Sequence, residues 1–204
     1  MVAELLRPVG RGPAEGPEAL NAPLFHSLIR RLEGGGRWIV LDLGAARSDT
    51  IHMFGRFRCR LDVVDLADGL GTLRDETDPR VLRQRVEALL PRRGAEGTDV
   101  VLCWDLINYL SPPALTAVME SVAVRCKSGA LAHGLVYYSM RTMPQQPGCY
   151  VPLDDQRLIN KAASGPERPA PRYSPEDLAR CMPRYTVERG RLLRNGMQEF
   201  LFRL

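Results

Sequence analysis

Carboxylates follow directly after three apolar stretches of the chain, in the segments Asp42-x-Gly44, Asp65 and Trp104-Asp105. Asp65 lies about 20 residues beyond the glycine, the spacing at which an acid can accept hydrogen bonds from both hydroxyls of a ribose. Gly44 has no Cβ, so the backbone there can approach a ligand closely. These residues predict a site for a nucleotide-like ligand. Its candidate binding residues are Asp42, Gly44, Ala45, Ala46, Arg47, Asp65, Trp104 and Asp105.

Apolar strands that alternate with helices would position these residues. The four predicted strands are "WIVLDL", "CRLDVVDL", "TDVVLCW" and "GALAHGLVYYSM". Apolar residues at helical spacing lie between them, which predicts a three-layer α/β fold with a mostly parallel sheet. Asn195-Gly196, between two β-prone runs, predicts a closing antiparallel hairpin. Ligands bind such sheets beyond the carboxyl ends of the strands, where the three acids are expected to lie.

One domain is expected over residues 23–204, since a chain of this length can bury a substantial core. Residues 1–22 are rich in proline and glycine near their start and are predicted to form a flexible arm. The segment 141–172 contains six prolines and is predicted to be irregular. Its place after the fourth strand is where a lid or an acceptor-side insertion would sit.

Composition argues against several classes of function. The 28 basic and 24 acidic residues give a net charge of +4, and the basic residues are scattered, unlike a nucleic-acid-binding surface. The five cysteines form no C-x-x-C pair, which argues against a disulfide framework or a zinc site and fits a reducing cytoplasm. No stretch approaches the roughly 20 apolar residues that span a bilayer, so no membrane partner is expected. The oligomeric state is left open.

The order of these motifs resembles that of the class I S-adenosylmethionine-dependent methyltransferases. "VLDLGAA" is similar to their first motif, "VVD" to their ribose-binding acid and "VLCWDLINYL" to the motif at their fourth strand. "LLRNGMQEFLF" is similar to their antiparallel sixth and seventh strands. The resemblance covers about residues 20–204, apart from 141–172. It implies a Rossmann-like fold, S-adenosylmethionine as the cofactor, and methyl transfer to a small-molecule or protein acceptor.

The glycine loop departs from the family pattern, in which three glycines alternate with other residues, because Ala46 and Ser48 occupy the second and third glycine places. A third strand is also hard to find between Asp68 and Asp99, so the motif that contacts adenine in that family cannot be placed there. The alternative function is therefore a catalytically inactive, methyltransferase-like binding or regulatory module. A nicotinamide-dependent oxidoreductase is a further alternative, although "GAARSD" matches only the first glycine of G-x-G-x-x-G.

Several of the candidate side chains have more than one reading. Arg47 pairs with the methionine carboxylate of the cofactor, or it points to solvent or pairs with Asp49. Asp105 positions a ligand, or it caps the turn after its strand. One of Tyr137 and Tyr138 should face the crevice at the strand ends. The catalytic candidates are Asp105 and Tyr138.

Other polar or aromatic residues near the strands also have alternative roles. Asp65 binds ribose or is a solvated carboxylate at a strand end. His133, in the middle of a strand, is expected to be a buried and hydrogen-bonded histidine, and Trp104 is expected to serve packing more than recognition. The three histidines form no ligand pair at helical spacing, so no metal site is predicted.

Overall fold

A six-stranded sheet forms the centre of the computed structural model, which describes residues 19–92, 94–162 and 165–204. The strands of these residues are β1 (Ala19–Asn21), β2 (Trp38–Asp42), β3 (Cys59–Val63), β4 (Thr98–Trp104), β5 (Cys126–Tyr137), β6 (Thr142–Pro144), β7 (Tyr150–Pro152), β8 (Arg157–Asn160), β9 (Glu167–Pro169), β10 (Thr186–Leu192) and β11 (Met197–Arg203). The α-helices are α1 (Pro23–Glu33), α2 (Ser48–Phe54), α3 (Leu66–Leu73), α4 (Pro79–Leu89), α5 (Pro112–Ala123) and α6 (Pro175–Cys181). A short 3₁₀ helix, Leu106–Tyr109, follows β4.

The strands of the central sheet lie in the order β10-β11-β5-β4-β2-β3. The four strands from β5 to β3 run parallel, whereas β11 pairs antiparallel with β5, and β10 with β11. Residues 100–104 of β4 are all buried, although alternate side chains face opposite sides of the sheet, so both faces are covered there. The predicted three-layer α/β fold, with a mostly parallel sheet and a C-terminal antiparallel hairpin, is confirmed.

Local sequence signals account for several element boundaries. α6 begins with a capping box: the Asp177 amide donates to Ser174 Oγ at 3.1 Å, and the Ser174 amide donates to Asp177 Oδ2 at 3.0 Å. Gly196 turns the β10–β11 hairpin with φ +84°, in the left-handed region that favours glycine. Ser111 stands at the N-cap position of α5, but its side chain accepts no hydrogen bond from the helix.

The described residues between Asp68 and Asp99 contain no strand before β4, because helices α3 and α4 occupy this part of the chain. Leu66, Leu70 and Leu73 are buried and lie on one face of α3, at the spacing of an amphipathic helix. β3 is consequently the last strand on its side of the central sheet. The difficulty in placing a third strand from the sequence therefore has a structural cause.

The segment 141–172 is more ordered than predicted. β7 and β8 form a hairpin that β1 extends, and β6 pairs with β9 in a separate two-stranded sheet. The predicted flexible arm needs the same correction at its end, because Ala19–Asn21 pairs with β8; residues 1–18 lie outside the described residues. The β1–β8 and β6–β9 pairings join segments that are distant in the chain, and no local pattern predicts them.

A buried carboxylate on β11 anchors the start of α1. Glu199 accepts hydrogen bonds from the amides of Leu24 and Phe25, at 2.9 and 2.7 Å, and so satisfies two free N–H groups of the first helical turn. His133 Nε2 lies 2.9 Å from the same carboxylate, and both side chains are fully buried. The expectation of a satisfied histidine holds for one ring nitrogen only, since His133 Nδ1 has no partner among the described atoms.

None of the helices in the described part of the chain has the length and apolar character needed to cross a membrane.

Candidate functional site

The three acidic stretches converge on one cavity at the carboxyl ends of β2, β3 and β4. It has a volume of about 220 Å³. Six of the eight predicted binding residues line it: Gly44, Ala45, Arg47, Asp65, Trp104 and Asp105. The structure thus brings Gly44 and Asp65 to the same cavity. Asp42 and Ala46 do not line it.

Asp42 does not line the cavity, but its side chain fixes the loop that follows β2. Its Oδ1 accepts the Gly44 amide at 2.9 Å and the Trp104 indole Nε1–H at 2.6 Å. Burial is the main cause that raises the pKa of Asp42 to about 6, although these two hydrogen bonds act in the opposite direction. Asp42 therefore links the ends of β2 and β4.

The absence of a side chain at Gly44 makes room for the indole of Trp104. A Cβ at this position would lie 2.7 Å from Trp104 Cδ1, which is too close for any real contact. The sequence assigns Gly44 to the approach of a ligand, whereas in the structure the indole already lies against it. Trp104 has φ +48°, in the left-handed region that costs a non-glycine residue about 1 kcal/mol or more.

Trp104 also belongs to the core, as expected from the sequence. Its ring centroid lies 6.1 Å from that of Phe25 and 6.4 Å from that of His133. The indole is 4% exposed and forms part of the cavity wall. It therefore connects the cavity with the buried pair that anchors α1.

Arg47 and Asp65 stand at the mouth of the cavity, exposed to solvent. Neither forms an ion pair or a side-chain hydrogen bond within the described residues. Arg47 does not pair with Asp49, which one reading of the sequence allowed, because Lys161 Nζ lies 2.9 Å from both carboxylate oxygens of Asp49. Asp65 occupies the N-cap position of α3, but its side chain makes no cap hydrogen bond. Both charges remain available to a ligand.

Asp105 lies deep in the cavity and is 1% exposed. Its Oδ2 accepts a hydrogen bond from the Gly148 amide at 2.8 Å. Burial raises the pKa of Asp105 to about 7, against the lowering effect of the amides of Gly148 and of Asp105 itself. The side chain does not cap the 3₁₀ helix that follows, so the reading of Asp105 as a turn cap is wrong.

Asn108 fixes the turn after β4. Its Nδ2 donates to the carbonyls of Asp105 and Leu135, at 2.6 and 2.9 Å, and its Oδ1 accepts the Tyr137 amide at 2.9 Å. The end of β4 is thereby tied to the end of β5. Asn108 therefore has a structural role at this turn.

The catalytic candidate Tyr138 lies outside the cavity. It is 42% exposed, whereas the neighbouring Tyr137 is buried. Since successive residues of a strand point to opposite sides, only one of the two could face inward, and it is Tyr137. Burial, followed by the charge of Asp105, raises the pKa of Tyr137 to about 12, and its hydroxyl interacts with those of Tyr109 and Tyr150.

The fourth wall of the cavity comes from residues 147–150, which include Gly148 and Tyr150. Tyr109 holds this segment, because its hydroxyl lies 3.1 Å from the Pro144 carbonyl and 2.7 Å from the Gln146 carbonyl. The sequence identified the Pro-rich segment only by its position and missed both wall residues. Nothing periodic in "PQQPGCY" marks Gly148 or Tyr150 as part of a site.

The chemistry of the cavity is acidic and partly aromatic. Asp65, Asp68 and Asp105 line it, against the single cation Arg47 among the described lining residues. No group of three or more His, Cys, Asp or Glu suited to a metal ion occurs within residues 19–92, 94–162 and 165–204. All five cysteines are free thiols.

No protein-family model and no curated protein matches the chain. Among solved structures, the chain is similar to the 1,6-didemethyltoxoflavin-N1-methyltransferase of Burkholderia thailandensis, with 16% identity, 88% of this chain and 76% of that chain covered, and a TM-score of 0.48. It is similar to the glycopeptide N-methyltransferase MtfA, with 13% identity, coverage of 87% and 86%, and a TM-score of 0.46. It is also similar to the N-methyltransferase NodS of Bradyrhizobium japonicum WM9, with 12% identity, 89% of this chain and 86% of that chain covered, and a TM-score of 0.45. The first and third were solved with S-adenosylhomocysteine bound, and MtfA with S-adenosylmethionine.

Proposed function

We propose that this protein is an S-adenosylmethionine-dependent methyltransferase that acts on a small-molecule or protein acceptor. The observation that carries the proposal is the convergence of Gly44, Asp65 and Asp105 on one cavity at the carboxyl ends of parallel strands. The antiparallel pairing of β10 and β11 at the edge of the same sheet supports it, since the resemblance in sequence implied this hairpin.

The side chains at the mouth of the cavity suit the two ends of such a cofactor. Asp65 has no ion-pair partner within the described residues, so its carboxylate can accept hydrogen bonds from both ribose hydroxyls. The Arg47 guanidinium has no acidic partner in that part of the chain either, so it can form a charge-assisted pair with a carboxylate. Gly44 and Ala45 line the same cavity. This donor and acceptor set fits S-adenosylmethionine.

When bound, the cofactor supplies a methyl group that is already electrophilic because it is carried on a sulfonium. The protein then has to hold the acceptor in line with that methyl group and exclude water. Residues 147–150 cover the cavity and would contribute to excluding water. Asp105, with a pKa of about 7, can position the acceptor and take a proton from it.

The size of the cavity bears on how a ligand binds. Its volume of about 220 Å³ is below the roughly 300–1,000 Å³ of typical ligand sites. Binding of the whole cofactor therefore requires the cavity to widen, by displacement of residues 147–150 or of the Trp104 indole. The hydrogen bonds that hold that segment, from Gly148 to Asp105 and from Tyr109 to two carbonyls, would be the ones to yield.

The second candidate function is a catalytically inactive binding or regulatory module. The observation that favours it is the contact of Trp104 with Gly44, which fills the place where the loop would approach a ligand. Ala46 and Ser48, at two places where the family has glycine, favour it as well. Such a module would bind a different nucleotide or a protein partner.

Binding measurements on the purified protein separate the two functions. We expect S-adenosylmethionine and S-adenosylhomocysteine each to raise the melting temperature and to give a saturable isotherm in calorimetry. A ligand at 100 times its Kd adds about 2.7 kcal/mol to the free energy of unfolding, which a melting curve detects readily. NAD serves as the control ligand, because it shares the adenosine but lacks the methionine-derived part that both of these ligands carry. If neither methionine-derived ligand binds, the methyltransferase proposal is abandoned in favour of the module.

A further inference from the structure

Asp105 is a buried carboxylate that has no counter-charge among the residues the structure describes. None of the lysine, arginine or histidine side chains in the described residues forms an ion pair with it, and its side-chain hydrogen bond comes from the neutral Gly148 amide. An unpaired buried charge is strongly unfavourable, and it is normally neutralised by a proton or by a cation. The cavity is the side from which a cation can arrive.

The groups that face Asp105 from the neighbouring elements do not supply the missing positive charge. Tyr109, Tyr137 and Tyr150 are neutral phenols, and in each of them the charge of Asp105 contributes to raising the pKa. The guanidinium of Arg168 lies over the Tyr109 ring, 5.9 Å from its centroid, and does not pair with the carboxylate. The site is therefore built from one acid and a set of weak hydrogen-bond partners.

The other carboxylates of the cavity differ from Asp105 in exposure. Asp65 and Asp68 lie at the mouth and are exposed, so solvent screens their charges. β2 lies between β3 and β4 in the sheet, so Asp65 and Asp105 stand on opposite sides of the Gly44 loop. A ligand that spans the loop would meet an exposed acid at one end and a buried acid at the other.

We propose that Asp105 is a specificity residue that makes the cavity select positively charged ligands. The inference deepens the proposed function and rests on it: within that function, Asp105 favours the cationic sulfonium of S-adenosylmethionine over the neutral thioether of S-adenosylhomocysteine. The two ligands differ by one methyl group and one positive charge. A carboxylate shielded from water distinguishes them, because its attraction to a charge is stronger there than at the surface.

The test compares the Kd values of the two ligands by calorimetry, at about pH 8 so that Asp105 is largely ionised. In the unaltered protein we expect S-adenosylmethionine to bind about tenfold more tightly, in keeping with a charge-assisted interaction in a buried site. In Asp105→Asn this ratio should fall to near unity through weaker binding of S-adenosylmethionine alone. Asp68→Asn is the matched control: it removes the same charge at the exposed mouth and should leave most of the ratio intact.

The outcomes separate this inference from the function on which it rests. Equal affinities in the unaltered protein, or an unchanged ratio in a folded Asp105→Asn protein, overturn the role of Asp105 while the methyltransferase proposal stands. Absence of binding by both ligands removes the proposed function and this inference with it. Melting curves establish that each variant is folded. Equal affinities in the unaltered protein would overturn the role of Asp105 even if Asp105→Asn fails to fold, and a preference that survives in Asp68→Asn would then support it.

Discussion

Two buried carboxylates of this protein, Glu199 in β11 and Asp105 at the end of β4, differ in how completely they are paired. Glu199 accepts two amides of α1 and lies against His133, all at hydrogen-bonding distance. Asp105 has the Gly148 amide and an adjoining cavity. A buried acid with all its partners in the fold serves stability, whereas one left incomplete beside a cavity is available to a ligand.

Trp104 joins the two regions, since its indole lies near His133 on one side and lines the cavity on the other. Changes at either carboxylate can therefore be compared within a single packed unit. The comparison predicts opposite consequences for stability: loss of Glu199 should destabilise the protein, and loss of the charge at Asp105 should not.

The largest effect is expected for Glu199→Ala. The substitution leaves two buried amides of α1 and the His133 ring without their acceptor, and breaking a buried polar cluster of this kind costs about 3–5 kcal/mol. Urea unfolding measures the change in the free energy of unfolding. Glu199→Gln keeps one acceptor oxygen and should cost less. A change below about 1 kcal/mol in Glu199→Ala would contradict the anchoring role.

The next effect concerns pH and Asp105. Its pKa is raised to about 7 in the folded protein, above its ordinary value, so the folded state holds a proton that the unfolded state has released. This contribution to stability is complete below about pH 4 and is lost as the pH rises through about 7, by up to about 4 kcal/mol. Asp42, with a pKa of about 6, acts in the same direction.

Urea unfolding of Asp105→Asn across this range isolates the contribution of Asp105. The variant should lose less stability than the unaltered protein between about pH 4.5 and about pH 8. Asp42→Asn is a poor comparison because it disturbs two hydrogen bonds, so Asp68→Asn, at an exposed position, is the control. Identical pH profiles for Asp105→Asn and the unaltered protein would show that Asp105 is ionised without penalty and would remove its contrast with Glu199.

A smaller effect is expected for Gly44→Ala, which tests whether Trp104 determines the residue at that position. The new Cβ would lie 2.7 Å from Trp104 Cδ1, and the indole must move, at a cost of about 1–3 kcal/mol. Urea unfolding and tryptophan fluorescence report the two changes. The control is Gly71→Ala in α3, where a Cβ meets no atom within 4 Å and should be neutral or stabilising. If Gly44→Ala and Gly71→Ala had the same stability and fluorescence, the contact with Trp104 would not be what requires glycine at position 44.

The smallest effect is expected for Asp65→Ala. Its carboxylate is exposed and makes no hydrogen bond among the described residues, so stability should change by less than about 0.5 kcal/mol. Affinity for an adenosine-containing ligand should weaken by about 1–2 kcal/mol, in line with the loss of a charge-assisted pair. Calorimetry with S-adenosylhomocysteine measures it. Unchanged affinity would move the adenosine site to another part of the molecule.

The sequence predicts the central sheet well because its signals are local. The apolar run of β4 and the Asn195-Gly196 turn each specify an element through neighbouring residues. Gly44, Asp65 and Asp105 are then expected to lie close together, because the carboxyl ends of parallel strands meet at the same edge of a sheet.

Other parts depend on contacts between distant residues and could not be predicted. Gly148 reaches Asp105 across 43 positions of the chain, and β1 pairs with β8, more than a hundred residues away. Tyr137 and Tyr138 are the same residue type, so the sequence cannot tell which of them points inward. The structure shows that Tyr137 is buried and Tyr138 is exposed. The contact of Gly44 with Trp104 likewise depends on the left-handed backbone at Trp104, which the sequence does not signal.

The end of the central sheet at β3 has a consequence for self-association. Unpaired strand edges are templates for intermolecular β-pairing, and short charged strands reduce that hazard. β3 has five residues, and its exposed Arg60 forms ion pairs with Asp62 and Glu96 along this border. At the opposite border, β10 presents exposed Arg189 and Arg191. The cost of desolvating these charged side chains therefore opposes the pairing of one sheet edge with another.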